Sequence, residues 1–173
     1  MPARTIIRHA RVVFTCAGGA PRCGPDQADA GPIHDASIVA ADGVIEFVGP
    51  PDDADRPCPV VSGATLLDAP RCSVVPGFVD PHTHVVFAGD RREELRRRLA
   101  GATYAEIAAD GGGILSTVRD TRDASEDELV SATRARLDQM LRCGTTTCEA
   151  KSGYGLQADA ELKMLRAIRR LNA

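Results

Sequence analysis

The stretch Pro76-Gly77-Phe78-Val79-Asp80-Pro81-His82-Thr83-His84 constrains this chain more than any other. An apolar run there ends in His-x-His. In extended backbone, side chains two apart project to one face, about 6.5–7 Å apart along the strand. Two imidazoles so placed converge on one cation, at about 2.0–2.1 Å per nitrogen for zinc. A strand that buries Val74, Val75, Phe78 and Val79 and then presents two histidines predicts the first strand of a (β/α)₈ barrel. That fold carries its chemistry at the C-terminal ends of its strands. The expectation is a metal-dependent hydrolase with His82 and His84 as metal ligands.

A complete barrel of this kind takes about 250 residues, whereas the chain has 173. An incomplete barrel is therefore expected. Net charge is −3 with the two signs interspersed, which excludes an electrostatic footprint for nucleic acid or an anionic membrane. Arg91, Arg92, Arg96, Arg97 and Arg98 are interrupted by Glu93 and Glu94, as on a solvated helix face. With two Tyr, four Phe and no Trp there is no aromatic platform for stacking bases. Cys16, Cys23, Cys58, Cys72, Cys143 and Cys148 form no C-x-x-C pair and no zinc-finger spacing. There is no apolar leader, and no run approaches 18 apolar residues. Free thiols in a reducing cytoplasm are expected, with Cys148 a buried small residue.

The first 70 or so residues read as β structure. Thr5-Ile6-Ile7 and Val12-Val13-Phe14 form one strand or a bent pair. Ser37-Ile38-Val39 and Val44–Val48 flank Asp42-Gly43, a favoured tight hairpin turn. Thr65-Leu66-Leu67 is a further strand, and the Gly-, Pro- and Asp-rich segment from Ala17 to Pro32 is an exposed loop. His9 and His34 have no partner at ligand spacing and read as surface residues.

After His84 the pattern alternates between helix and strand. Helices are predicted from Arg91 to Leu99 and from Tyr104 to Ala109. Ser125 and Glu128 form an S-x-x-E capping box ahead of Leu129, Val130, Thr133, Leu137, Met140 and Leu141. Gly144 stops that helix. A strand over Thr145–Lys151 and a loop over Ser152–Gly155 come next. The last helix, from Asp159, sets Leu162, Leu165, Ile168 and Leu171 on one face. In the strand, Thr147, Glu149 and Lys151 share the face expected to point inward, with Glu149 and Lys151 as an ion pair. Gly111-Gly112-Gly113 lacks the lysine of a P-loop and the Rossmann spacing, and reads as a mobile loop near the site.

Ordered blocks from Val74 to Leu156 resemble the amidohydrolase superfamily. They are Pro76–His84, Phe87-Ala-Gly-Asp-Arg91, Thr103-Tyr-Ala-Glu-Ile107, and Gly111–Ile114 with Ser116–Val118, Thr121 and Arg122. Gly144-Thr-Thr-Thr-Cys-Glu-Ala-Lys-Ser-Gly-Tyr-Gly-Leu156 completes the set. The His-x-His block alone marks the superfamily, and Glu149–Leu156 narrows it to a histidine-degradation branch.

The resemblance implies an α/β chain. Residues 1–73 would be a portion of a small β-sandwich, and 74–173 the first β/α units of the barrel. The implied reaction is hydrolysis of the ring amide of 4-imidazolone-5-propanoate to N-formimidoyl-L-glutamate. It implies one divalent metal ion, zinc or iron, on His82 and His84, with a further histidine and an aspartate from later strands. Arg91 would bind the substrate carboxylate, for which a guanidinium fork is suited, and Tyr154 would bind the ring. A homodimer is implied for the full-length protein. Two alternatives stay open: another cyclic amidohydrolase or deaminase of the superfamily, or a non-catalytic truncated remnant. Tyr104 is open between pocket wall and helix packing.

Overall fold

The structure is a computed structural model describing residues 4–18, 21–50 and 63–172. It divides into two compact units, Met1–Pro76 and Gly77–Ala173. The predicted free thiol at Cys58 lies outside the described residues, while Cys16, Cys23, Cys72, Cys143 and Cys148 are all unpaired. No described helix is long and apolar enough to cross a membrane.

The first unit is a mixed sheet. β1 (Arg4–Phe14) pairs antiparallel with β2 (Pro32–Ala41), which pairs antiparallel with β3 (Val44–Gly49). On its other edge β1 pairs parallel with β4 (Thr65–Asp68) near its start and β5 (Ser73–Val74) near its end. Of the two readings for Thr5-Ile6-Ile7 and Val12-Val13-Phe14, one strand or a bent pair, the structure shows one strand. From Ile7 to Ala10 β1 uses three residues where β2 uses two, Ile38 to Ala36. This bulge sits at His9, whose φ is 55°, and returns Ile7 and Ala10 to one face. That face builds a core from Ala10, Val13, Ala36, Ile38 and Ala69, while Ile6 and Val39 pack on the other. Asp42 and Gly43 both have positive φ, at 51° and 80°, the requirement of a two-residue primed hairpin turn. The loop from Ala17 contains one short 3₁₀ turn, Gly24–Ala28.

The second unit holds β6 (Phe78–Thr83) and β7 (Thr145–Ala150), paired in parallel. Parallel neighbours need a crossover. Here it runs through α1 (Arg92–Leu99), α2 (Tyr104–Ala109), α3 (Ile114–Asp123) and α4 (Glu126–Arg142), and α5 (Ala158–Leu171) follows β7. The Ser125/Glu128 capping box forms in full at the start of α4, and a second, Thr103/Glu106, opens α2. Gly144, with φ 95°, ends the α4 turn, and its carbonyl accepts the Phe78 N–H at 2.9 Å.

Three expectations are corrected. Val75, Phe78 and Val79 are exposed and Val74 packs in the first unit's core; the buried pair is Val85-Val86, beyond the histidines. The reason is that β6 has a single strand neighbour, and the apolar layer forms where α4 and α5 pack, through Leu129, Met164 and Ala167. On α5 the buried residues are Ala160, Met164 and Ala167, whereas Leu162 and Leu165 are about half exposed. Small residues let α5 approach closely, so the leucine face is not the one it buries. Gly111–Gly113 is a hydrogen-bonded turn: Gly111 and Gly112 N–H donate to Ala108 and Ile107 carbonyls, and Gly113 N–H donates to Glu94 Oε1 at 2.8 Å. The turn leads directly into α3, a helix whose buried face is Thr117, Val118 and Thr121.

The face assignment of α5 is testable on adjacent residues. Met164→Ala, at a fully buried position, is expected to cost about 2–5 kcal/mol of unfolding free energy. Leu165→Ala is expected to cost less than about 1 kcal/mol. Urea unfolding of the 173-residue chain, followed by circular dichroism, checks the order.

Candidate functional site

The ends of β6 and β7 bring the predicted residues together through one irregularity. From Asp80 to Thr83 β6 uses three residues against two on β7, Cys148 to Ala150. Pro81 lies inside this bulge and has no N–H to give the ladder. The His82 N–H is taken instead by Asp80 Oδ1 at 3.2 Å. Pairing resumes beyond the bulge, where Lys151 N–H donates to the Thr83 carbonyl at 3.0 Å and Thr83 Oγ1 donates to the Glu149 carbonyl at 2.6 Å.

His82 and His84 therefore share one side, with ring centroids 5.5 Å apart and planes at 80°. Two imidazoles on one tetrahedral zinc, each nitrogen about 2.0–2.1 Å from the ion, place their centroids about 5–5.5 Å apart. His84 Nδ1 is buried and has no hydrogen-bond partner. Two adjacent imidazoles, one with an unsatisfied ring nitrogen, are a donor set that suits zinc or iron. No group of three or more His, Cys, Asp or Glu able to hold a metal occurs among the described residues. The pair is a partial ligand set.

Around it stand an acid and an aromatic stack. Glu149 Oε2 lies 3.6 Å from His82 Nδ1. The expected Glu149–Lys151 ion pair is thus replaced: the bulge turns His82 toward Glu149, and Lys151 makes no ion pair among the described residues. Tyr154 packs edge-on to His84 at 5.6 Å and to Phe87 at 5.8 Å. The Arg136 guanidinium carbon sits 3.6 Å over the Phe87 ring centre and its Nη1 donates to the Val85 carbonyl at 3.1 Å. Burial lowers the Arg136 pKa from its ordinary value. The order His84, Tyr154, Phe87, Arg136 is one continuous column.

Two other candidates are exposed. Arg91 is the residue before α1, with an exposed side chain that makes no hydrogen bond or ion pair among the described residues. Tyr104 is 61% exposed on α2, with its hydroxyl near Gly113. Cys148 is half-buried and lines an apolar cavity of about 390 Å³ with Val85, Leu137, Ala150, Leu165 and Ile168, on the side away from Glu149. Sequence reading missed Phe87, Gly153 and Arg136 as members of the site. Phe87 sat inside a motif block without a role, Gly153 was read only as a turn glycine beside Tyr154, and Arg136 is one polar residue among several on α4, with no local signal.

The comparisons with known proteins fit this arrangement. The sequence is 54% identical over 168 residues to an imidazolonepropionase of Symbiobacterium thermophilum, covering 97% of this chain and 39% of that protein. By sequence the chain is imidazolonepropionase-like. An imidazolonepropionase of Solibacter usitatus is 50% identical over 166 residues, covering 95% of this chain and 39% of that one. The chain thus spans about two fifths of the length of these imidazolonepropionases. No protein-family model matches it. Among solved structures, Escherichia coli guanine deaminase superimposes with a TM-score of 0.62 at 20% identity, covering 98% of this chain and 33% of that one. Guanine deaminase from Bradyrhizobium japonicum gives 0.59 at 25% identity, with 97% and 33% covered. An adenosine deaminase from Xanthomonas campestris with bound zinc gives 0.56 at 20%, with 95% and 31% covered. These neighbours share the α/β fold of the chain.

One contact tests the placement of His84. A Cβ on Gly153, where φ is 150°, would lie 2.7 Å from His84 Cε1 and 2.8 Å from Nδ1. Gly153→Ala is expected to displace the imidazole and to cost about 1–3 kcal/mol. Shifted His84 ring resonances with unshifted His9 and His34 resonances in NMR spectra check it.

Proposed function

We propose that the chain is the N-terminal portion of an imidazolonepropionase, a metal-dependent hydrolase acting on a carbon–nitrogen bond of a cyclic amide. Its substrate is 4-imidazolone-5-propanoate and its product N-formimidoyl-L-glutamate. One observation carries the reading: His82, His84 and Tyr154 converge at the ends of two parallel strands, in a chain that matches imidazolonepropionases along nearly all its length. β6 and β7 are the first two strands of a (β/α)₈ barrel, and residues 1–73 are the β-sandwich portion. The compartment is the cytoplasm, and the full-length protein is a homodimer. The likeness to deaminases supports a shared fold and no more, since the identities are 20–25%.

In this reading His82 and His84 hold one zinc or iron ion. Bound there, the ion supplies a Lewis acid for the ring carbonyl and acidifies a water molecule toward neutral pH. Glu149 Oε2, 3.6 Å from His82 Nδ1, is near enough that a small shift would let it accept that ring's N–H, as outer carboxylates do for metal-bound histidines. Tyr154 offers its phenol to the polar ring of the substrate. Phe87 and Arg136 hold Tyr154 from behind, which keeps it against His84. Arg91 binds the propanoate carboxylate through its two-pronged guanidinium. The exposed Phe78 and Val79 and the half-exposed Leu165 are surfaces that later strands and helices cover.

The native protein should have an intact mass more than twice that of this chain and should hydrolyse imidazolonepropanoate. A chelator should abolish that activity and zinc or iron(II) should restore it. His82→Ala and His84→Ala should each remove the bound metal and lower kcat/KM by at least about 100-fold. Arg91→Lys should keep the metal and raise KM by about 10–100-fold with little change in kcat. Metal analysis and steady-state kinetics separate these outcomes. Turnover of other cyclic amides with none of imidazolonepropanoate would move the assignment to another member of the superfamily.

The 173 residues alone should neither turn over substrate nor retain metal through gel filtration, because two imidazoles leave a four-coordinate ion half filled. Stoichiometric zinc in the purified chain, measured by elemental analysis, would overturn this.

A further inference from the structure

The loop that carries Tyr154 is held from both sides. Glu161 Oε1 accepts the N–H groups of Gly155 and Leu156, both at 2.7 Å. From the opposite direction Arg122 Nε donates to the Gly155 carbonyl at 2.6 Å. The two clamps are themselves joined, because Lys163 Nζ on α5 donates to the carbonyls of Arg122 at 2.9 Å and Ala124 at 2.5 Å. Gly155 has no room for a side chain: a Cβ would lie 2.7 Å from Glu161 N and 2.9 Å from the Ala160 carbonyl carbon. Leu156 then takes φ 51°, a conformation costly for a leucine unless its surroundings impose it.

We propose that Glu161 is a positioning residue, fixing the 152–156 loop so that Tyr154 stands against His84. The proposal rests on the reading of Tyr154 as a substrate-binding residue. An ordinary acid in the first turn of a helix faces that helix's own N–H groups or solvent. Glu161 instead reaches back beyond Gln157, the residue capping α5, to amides of the loop. Its Oε2 is buried without a hydrogen bond of good geometry, an arrangement that helix stability alone does not require. Burial raises its pKa, but the Ser152 hydroxyl and the N–H groups of Leu156, Gly155 and Gly153 outweigh this and hold it below the ordinary value. The group is ionised at neutral pH, and its charge is spent on loop amides. The strand pairing ends at Lys151, whose N–H donates to the Thr83 carbonyl, so it fixes where the loop starts but not the path of 152–156, and Gly153 and Gly155 give that path no intrinsic preference.

Glu161→Ala and Glu161→Gln in the native protein test this. Amide hydrogen exchange at Gly155 and Leu156 is expected to speed up about 10-fold in Glu161→Ala, with β7 and α4 amides still protected. Glu161→Gln keeps one acceptor oxygen and should fall between. The ring resonances of Tyr154 should shift while those of Tyr104 stay put. KM should rise about 10-fold with metal content and kcat kept, and this rise should vanish in a Tyr154→Phe background. If Glu161→Ala does not fold, the Glu161→Gln variant decides. Unchanged exchange and Tyr154 resonances would overturn the proposal, as would a loosened loop with unchanged KM in an active enzyme. If the wild type leaves imidazolonepropanoate untouched, the functional reading fails, and exchange and resonances still decide whether Glu161 positions Tyr154.

Discussion

The parallel pairing of β6 with β7 is the constraint on which the second unit depends. More than sixty residues separate their starts, so the pairing requires a crossover, and the crossover supplies α4 to cover one side. Once the strands lie parallel, their C-terminal ends are neighbours. That alone brings the histidines at the end of one strand beside the glycine-rich loop leaving the other. Pro81 then does something a regular strand could not. It opens a bulge, leaves the His82 N–H to Asp80, and turns His82 toward Glu149.

Every group around His84 is fixed by a contact that excludes alternatives. Gly153 touches the ring where no side chain fits, Tyr154 meets its edge, and Phe87 backs Tyr154. Arg136 over Phe87 gives a cation against a ring face, a contact strengthened by partial desolvation. The lowered pKa of Arg136 leaves it cationic at neutral pH, since a guanidinium begins far above that range. A site assembled this way has little freedom left to lose when a ligand arrives, which is how preorganised sites hold their geometry.

Most regular elements were legible in the sequence because their signals are local. Asp42-Gly43 can hardly be other than a primed turn, and Ser125 with Glu128 forms its box within one helical turn. α3 was not legible because its buried face is Thr117, Val118 and Thr121, and two threonines among three read as a loop after a run of glycines. The inner face of α5 was misread for the opposite reason. Leucines at helical spacing carry the stronger pattern, yet close approach of two helices favours Ala160 and Ala167. His82, His84 and Tyr154, named from the sequence, come together in the fold, while the residues that pack around them were not legible. Glu149 was placed on the correct strand face and given the wrong partner, because a bulge cannot be counted from residue spacing.

The same reasoning explains why Glu161 was invisible. A glutamate near a helix start is among the commonest features of any sequence, and its usual meaning is the helix dipole. Only the backward reach to Gly155 and Leu156 gives it another. Burying a carboxylate is unfavourable unless donors meet it, so a chain that does so beside a glycine-rich loop gains a fixed loop in return. Arg122 and Lys163 extend that fixation to the end of α3, linking the Tyr154 loop to that helix. Precision at the two strand ends is therefore set in part from α5, a helix whose sequence pattern points to nothing but packing.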